Sequence, residues 1–199
     1  MMRSLLFLPA LLLLTWPATA QNLVPAFKES GTVMAPLTIE IYTDFQCPHC
    51  RAFYLEELPL LVNDFVKTGK VRLIHRDFPL AQFQFSRTAM RYANAAGQIG
   101  KYDAVSLQLF QAQPEWAQNG DVDGAVAKVL TPAEMEKVRN IIKTDKHLDD
   151  SVEKDFAMGN DTDHIMSTPA IIIVSKGHRE TINGGPPYPS LKAYLESKL

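Results

Sequence analysis

Apolar residues along the chain keep two distinct periods, and the change from one to the other divides it. Leu37, Ile39 and Ile41 alternate with Thr38, Glu40 and Tyr42, and the β-branched, aromatic run continues to Phe45, which predicts a strand over 37–45. Val71 to Asp77 reads as a second strand, closed by Phe78-Pro79-Leu80. Between them Phe53, Leu58, Leu61, Val62 and Phe65 recur at helical spacing; Pro59 should kink this helix and Gly69 should stop it. A strand, a long helix and a second strand imply a right-handed crossover and a parallel pair.

From Ser86 to about Gly159 the pattern is helical throughout. Ala89, Tyr92, Ala93 and Ala96 make one stripe, and Tyr102, Val105, Leu109 and Phe110 another. Thr131-Pro132-Ala133-Glu134 reads as a capping box with Pro at the first helical position, continued by Met135, Val138 and Ile142. Leu148, Val152 and Phe156 supply the last stripe. Asp121 and Asp123 resemble the start of a calcium loop, but the acidic residue that should close one is missing, so they read as carboxylates at a helix N-terminus. The chain then returns to β: Ala170 to Val174 is apolar throughout, as a central strand should be, Lys176-Gly177 turns, and Arg179 to Ile182 pairs back. Pro189 to Leu199 is a final helix. The fold class is α/β, with a helical insert at about 86–160 inside a domain spanning 36–199.

Residues 1–20 read as a secretory signal: Arg3 for the basic end, Leu5 to Leu14 for the apolar core, and Ala18-Thr19-Ala20 for the cleavage site. About ten apolar residues are too few to span a bilayer. Residues 21–35 are weakly patterned and read as a leader. Removing Arg3 with the signal leaves 19 Lys and Arg against 22 Asp and Glu, a mild acidity that argues against nucleic acid as a partner.

The chemistry concentrates in Cys47-Pro48-His49-Cys50, which holds both cysteines of the chain. If the helix begins at Pro48, Cys47 is its N-cap and its sulfur faces the free amides of the first turn. Those amides and the helix dipole favour a thiolate, whereas a disulfide carries no charge and gains nothing. His49 adds a donor, or a cation when protonated. All three effects lower the Cys47 pKa, favour the dithiol over the disulfide, and so make the oxidised protein a stronger oxidant. Cys50, one turn into the helix, is expected to be more buried and to act as the resolving thiol. A zinc site would need further ligands from His75, His147, His164 or His178, which show no paired spacing, so no metal or other cofactor is expected. A permanent structural disulfide would close too short a loop to remove much entropy from the unfolded chain. Pro169, in Ser167-Thr168-Pro169, cannot donate to the sheet and belongs at the strand entrance, where a cis peptide is plausible.

Cys-Pro-His-Cys at a helix start, the helical insert, Thr-Pro before a β-hairpin and terminal helix, and the export signal together resemble the thioredoxin superfamily, and within it the DsbA-type periplasmic thiol-disulfide oxidoreductases. The resemblance covers about Met34 to Leu199 and implies that Cys47 is the exposed attacking cysteine and Cys50 the resolving one. It makes Pro48 and His49 the dipeptide that sets the potential, and Thr168-Pro169 the cis-proline loop that offers backbone to an extended substrate. Many relatives carry a buried acid six residues before the first cysteine; that position here is Ile41, and Glu40 and Asp44 are expected to point elsewhere or to lie closer to the surface. The implied activity is a monomeric, exported dithiol oxidase acting on reduced or unfolded secreted polypeptides and reoxidised by a membrane redox partner. An isomerase or reductase using the same pair is the nearest alternative. A chaperone-like peptide-binding module with a structural disulfide is another.

Overall fold

The computed structural model describes residues 24–199. The signal sequence read at 1–20 lies outside the described residues. Five strands, β1 (Glu29–Ser30), β2 (Leu37–Thr43), β3 (Val71–Asp77), β4 (Ala170–Ser175) and β5 (His178–Asn183), make one sheet in the order β1-β3-β2-β4-β5. β2 and β3 are parallel, with Leu37 opposite Val71 and Thr43 opposite Asp77. The other pairings are antiparallel.

The parallel pair needs its crossover, and the stretch after Cys47 supplies it. α1 (Pro48–Ala52) runs into a π-helical turn at Phe53–Glu57, then α2 (Leu58–Leu61) and a second π-helical turn at Val62–Val66. Pro59 accounts for the first wide turn: it has no N–H to offer, and the amide of Leu58 bonds back to Phe53 O, one residue further than in an α-helix. The kink expected at Pro59 is therefore taken up as a π turn. Gly69, at φ 76, closes the element in the left-handed region that suits glycine. The buried stripe of this crossover, Phe53, Leu61 and Phe65, packs with Leu191 and Leu195 of the final helix against Leu37, Ile39, Ile41, Ile171 and Ile173.

The helical insert comprises α3 (Ser86–Gly97), α4 (Tyr102–Gln111), α5 (Gln113–Asn119), α6 (Val122–Ala127), α7 (Pro132–Thr144) and α8 (Asp150–Asp161), and α9 (Tyr188–Lys198) ends the chain. The Thr131–Glu134 capping box forms in both directions. Asp121 caps α6 by accepting from the Gly124 amide, and Asp123 accepts from the Tyr92 hydroxyl and Arg139. Both acids thus have structural partners.

The leader reading of 21–35 needs revision where the structure describes it. Glu29 and Ser30 form the edge strand β1, antiparallel to β3. Lys28 is fully buried, and its ammonium donates to Asp77 and Asp155. Arg76 joins Asp155 to Glu40, and Arg179 joins Glu40 to Asp163. This ionic layer covers the sheet face opposite the crossover. A lysine and two short polar residues carry no periodicity, so their place in the fold was not visible in the apolar pattern.

Candidate active site

β2 ends at Thr43, and the chain turns through Asp44, Phe45 and Gln46 into α1 at the carboxyl end of the parallel pair. Open α/β sheets present their chemistry at that end, where loops and helix N-termini meet. Cys47 is the N-cap, with extended backbone at φ −74 and ψ 122, and Pro48 is the first helical residue. Cys47 and Cys50 belong to the same buried cluster as Phe45, Phe110 and the cores of the insert helices, so the pair sits where insert and sheet meet.

The two thiols are driven in opposite directions. The Cys47 thiol is pulled down to about 5: the Cys50 S–H donates to it, burial opposes, and the amides of Cys50 and His49 add donors. Burial pushes Cys50 well above the ordinary thiol range, and the neighbouring Cys47 charge pushes it further. At neutral pH this arrangement is one thiolate and one thiol sharing a proton. Cys50 is fully buried as expected, but Cys47 is only 4 % exposed rather than open. The insert and the Thr168 loop pack around it.

Beside the cysteine turn lies a cleft of about 440 Å³ lined by His49, Phe53, Glu56, Thr168, Pro169 and Gly185 among others. The Thr168-Pro169 peptide is cis. The Cys47 thiol donates to the Thr168 carbonyl oxygen at 3.4 Å, while the Thr168 hydroxyl is buried without a hydrogen-bond partner among the described residues. The structure therefore brings together Cys47, Pro48, His49, Cys50, Thr168 and Pro169, from positions more than a hundred residues apart.

Three further side chains hold the cysteine turn. Asp44 accepts from the Gln46 amide at 2.7 Å, from the Leu80 amide at 2.7 Å and from the Ser86 hydroxyl. Gln46 accepts from the Phe85 amide at 2.8 Å and donates to Ala117 O at 3.1 Å. Gln113, buried at the start of α5, donates to both Phe45 O and Cys47 O, at 2.7 and 3.0 Å. Glu40 does point elsewhere, into the ionic layer, yet it is buried; Asp44 is fully buried rather than near the surface. Burial raises the Asp44 carboxyl to about 6, against the three donors that favour its charge and with the nearby Cys47 acting in the same direction as burial. An acid in a loop sequence reads as solvated; its burial comes from donors about forty residues downstream.

Comparison with known proteins follows the same outline. A family model described as thioredoxin matches residues 29–186. Disulfide bond formation protein D of Bacillus subtilis (strain 168) is 27% identical over 175 residues, covering 83% of this chain and 73% of the relative. The crystal structure of Wolbachia pipientis alpha-DsbA1 is similar with a TM-score of 0.70 at 19% identity, covering 86% of this chain and 89% of that one. Oxidised BdbD from Bacillus subtilis has a TM-score of 0.68 at 22% identity, with coverage of 86% and 91%. The family match takes in the cysteine turn, the whole helical insert and the Thr168-Pro169 loop, and the solved structures share this fold, so the chain belongs to the thioredoxin family, with the DsbA-like arrangement of a helical insert in the sheet.

Proposed function

We propose that the protein is an exported dithiol oxidase that introduces disulfides into reduced, unfolded secreted polypeptides. One observation carries this reading: Cys47 stands at a helix N-cap where the Cys50 S–H and the first-turn amides favour its thiolate, while Cys50 lies fully buried. The names of the relatives, which include disulfide bond formation protein D and alpha-DsbA1, support it.

In the oxidised protein a client thiolate attacks Cys47 Sγ, the less buried sulfur of the pair. The Cys47–Cys50 bond breaks, a client–Cys47 disulfide forms, and Cys50 leaves as a thiolate that takes up a proton, since burial disfavours its charge. A second client thiolate then attacks the client sulfur of the mixed disulfide, and Cys47 leaves as the thiolate the helix N-terminus stabilises. The client loses two electrons and the protein gains them. Pro48 and His49 set the stability of the departing thiolate, and Thr168-Pro169 offers backbone to the extended client. Export follows from the signal read at 1–20, and reoxidation of the dithiol is assigned to a membrane redox partner.

The test is refolding of a reduced, denatured protein with stoichiometric oxidised enzyme. Disulfides should form in the client with matching loss from the enzyme. A client that regains none, with the enzyme's disulfide intact, contradicts the reading.

A further inference from the structure

The cleft beside the cysteine turn carries acidic side chains. Its ionisable lining side chains are His49, Glu56 and Glu57, with no lysine or arginine among them. Glu56 is exposed and has no ion-pair or hydrogen-bond partner among the described residues. Glu57 is held in place because its carboxylate accepts from the Tyr188 amide at 2.7 Å, which fixes a negative group on the wall. Gly185 packs closely on this lining: a Cβ there would stand 2.7 Å from the Phe53 ring and 3.1 Å from Pro169. Thr168 also lines the cleft, 5 % exposed, with its carbonyl oxygen on the Cys47 sulfur.

From these observations we infer that the cleft takes an extended client segment carrying a lysine or arginine side chain, paired with Glu56 and Glu57, a few residues from the reacting cysteine. The inference rests on the proposed oxidase function and adds its preferred substrate class. The spacing follows from chain geometry. Glu56 lies nine residues beyond Cys47 along the crossover helix, about 14 Å at 1.5 Å per residue. An extended segment covers that in about four residues, and a long basic side chain shortens it to two or three. A carboxylate pair in a half-open cleft steers and holds such a cation more than it adds raw affinity.

The experiment uses oxidised protein and reduced synthetic peptides with one cysteine flanked at the third position on both sides by lysine or by glutamate. The readout is the rate of mixed-disulfide formation. The flanking charges also shift the peptide's own thiol, so the lysine-to-glutamate rate ratio is compared between the native protein and Glu56→Gln. The ratio should fall about threefold in Glu56→Gln at low salt, and the native ratio should shrink as salt is added. Glu57→Gln keeps an acceptor for the Tyr188 amide and should act in the same direction. Binding of the same peptides with serine in place of cysteine reads the charge preference apart from the chemistry, and the lysine peptide should bind more tightly. A ratio unchanged in both variants, or equal binding of the two serine peptides, overturns the inference. Charge-dependent binding with no disulfide exchange would instead overturn the oxidase reading beneath it.

Discussion

Cys47 Sγ lies 3.4 Å from the carbonyl oxygen of Thr168, a residue 121 positions away. A carbonyl can only accept, so this contact serves the protonated thiol and is lost when the thiolate forms. The Thr168 hydroxyl works the other way: it has no partner among the described residues while Cys47 is protonated, and as a donor it favours the charged sulfur. Thr168→Val removes the second effect and keeps the first. The Cys47 pKa should then rise from about 5 by about one unit, followed by alkylation rate against pH, and the dithiol should lose about 1.4 kcal/mol of folding stability between about pH 6 and 9, with no loss below pH 5 where the thiol is protonated.

The folding stability of the dithiol should depend on pH in a way that the disulfide form does not share. The Cys47 thiol titrates at about 5 in the fold against an ordinary 9.0, so between those values the unfolded chain carries a proton the folded one lacks. This contribution is complete above the ordinary thiol value and is lost as pH falls through about 5. Asp44 has the opposite sign: its carboxyl is raised from 3.8 to about 6, so its contribution falls as pH rises across that window. The two partly offset near pH 5 to 6, and the gain of the dithiol over the disulfide should appear mainly between about pH 6 and 9, amounting to a few kcal/mol. Paired urea unfolding of the two forms across this range measures it. A constant difference would contradict the assigned thiolate.

Asp44 joins the cysteine turn to the loop after β3 and to the start of α3 through three donors, and it does so as a buried carboxyl. Asn retains one oxygen but turns an NH₂ toward groups that themselves donate. Asp44→Asn should therefore cost about 1–3 kcal/mol by urea unfolding at neutral pH. It should also abolish the stability change between pH 4 and 6 that Asp44 contributes.

Lys28 anchors the amino-terminal edge to the ionic layer through Asp77 and Asp155. Lys28→Met leaves the buried Asp77 carboxylate without its cation and takes from Asp155 one of its two, Arg76 remaining, which should destabilise the protein by about 3–5 kcal/mol. Equilibrium unfolding in urea measures the loss. A change below about 1 kcal/mol would mean that the 24–30 segment is not held as described.

How far the sequence reveals this molecule depends on the range of the interaction. Period and capping made the parallel pair, the crossover and the α7 start legible, because Leu37, Ile39 and Ile41, or Thr131 and Glu134, act over a few residues. The cysteine pair and Thr168-Pro169 were legible as motifs of a known family. Asp44, Gln113 and Lys28 were not, because their surroundings are made by chain 36 to 127 residues away: Asp44 by Leu80 and Ser86, Gln113 by Phe45 and Cys47, Lys28 by Asp77 and Asp155. A polar residue carries no sign of burial until its partners are known. The low exposure of Cys47 was hidden for the same reason, since the insert and the Thr168 loop close over it from afar.

The redox equilibrium of Cys47–Cys50 against glutathione, read by trapping free thiols, tests the stabilised Cys47 thiolate most directly. If the fold favours that thiolate, the dithiol should persist into oxidising buffers, with a reduction potential above about −200 mV. A potential near −270 mV or lower would mean that the fold stabilises the disulfide instead, and would contradict an oxidase built on this pair.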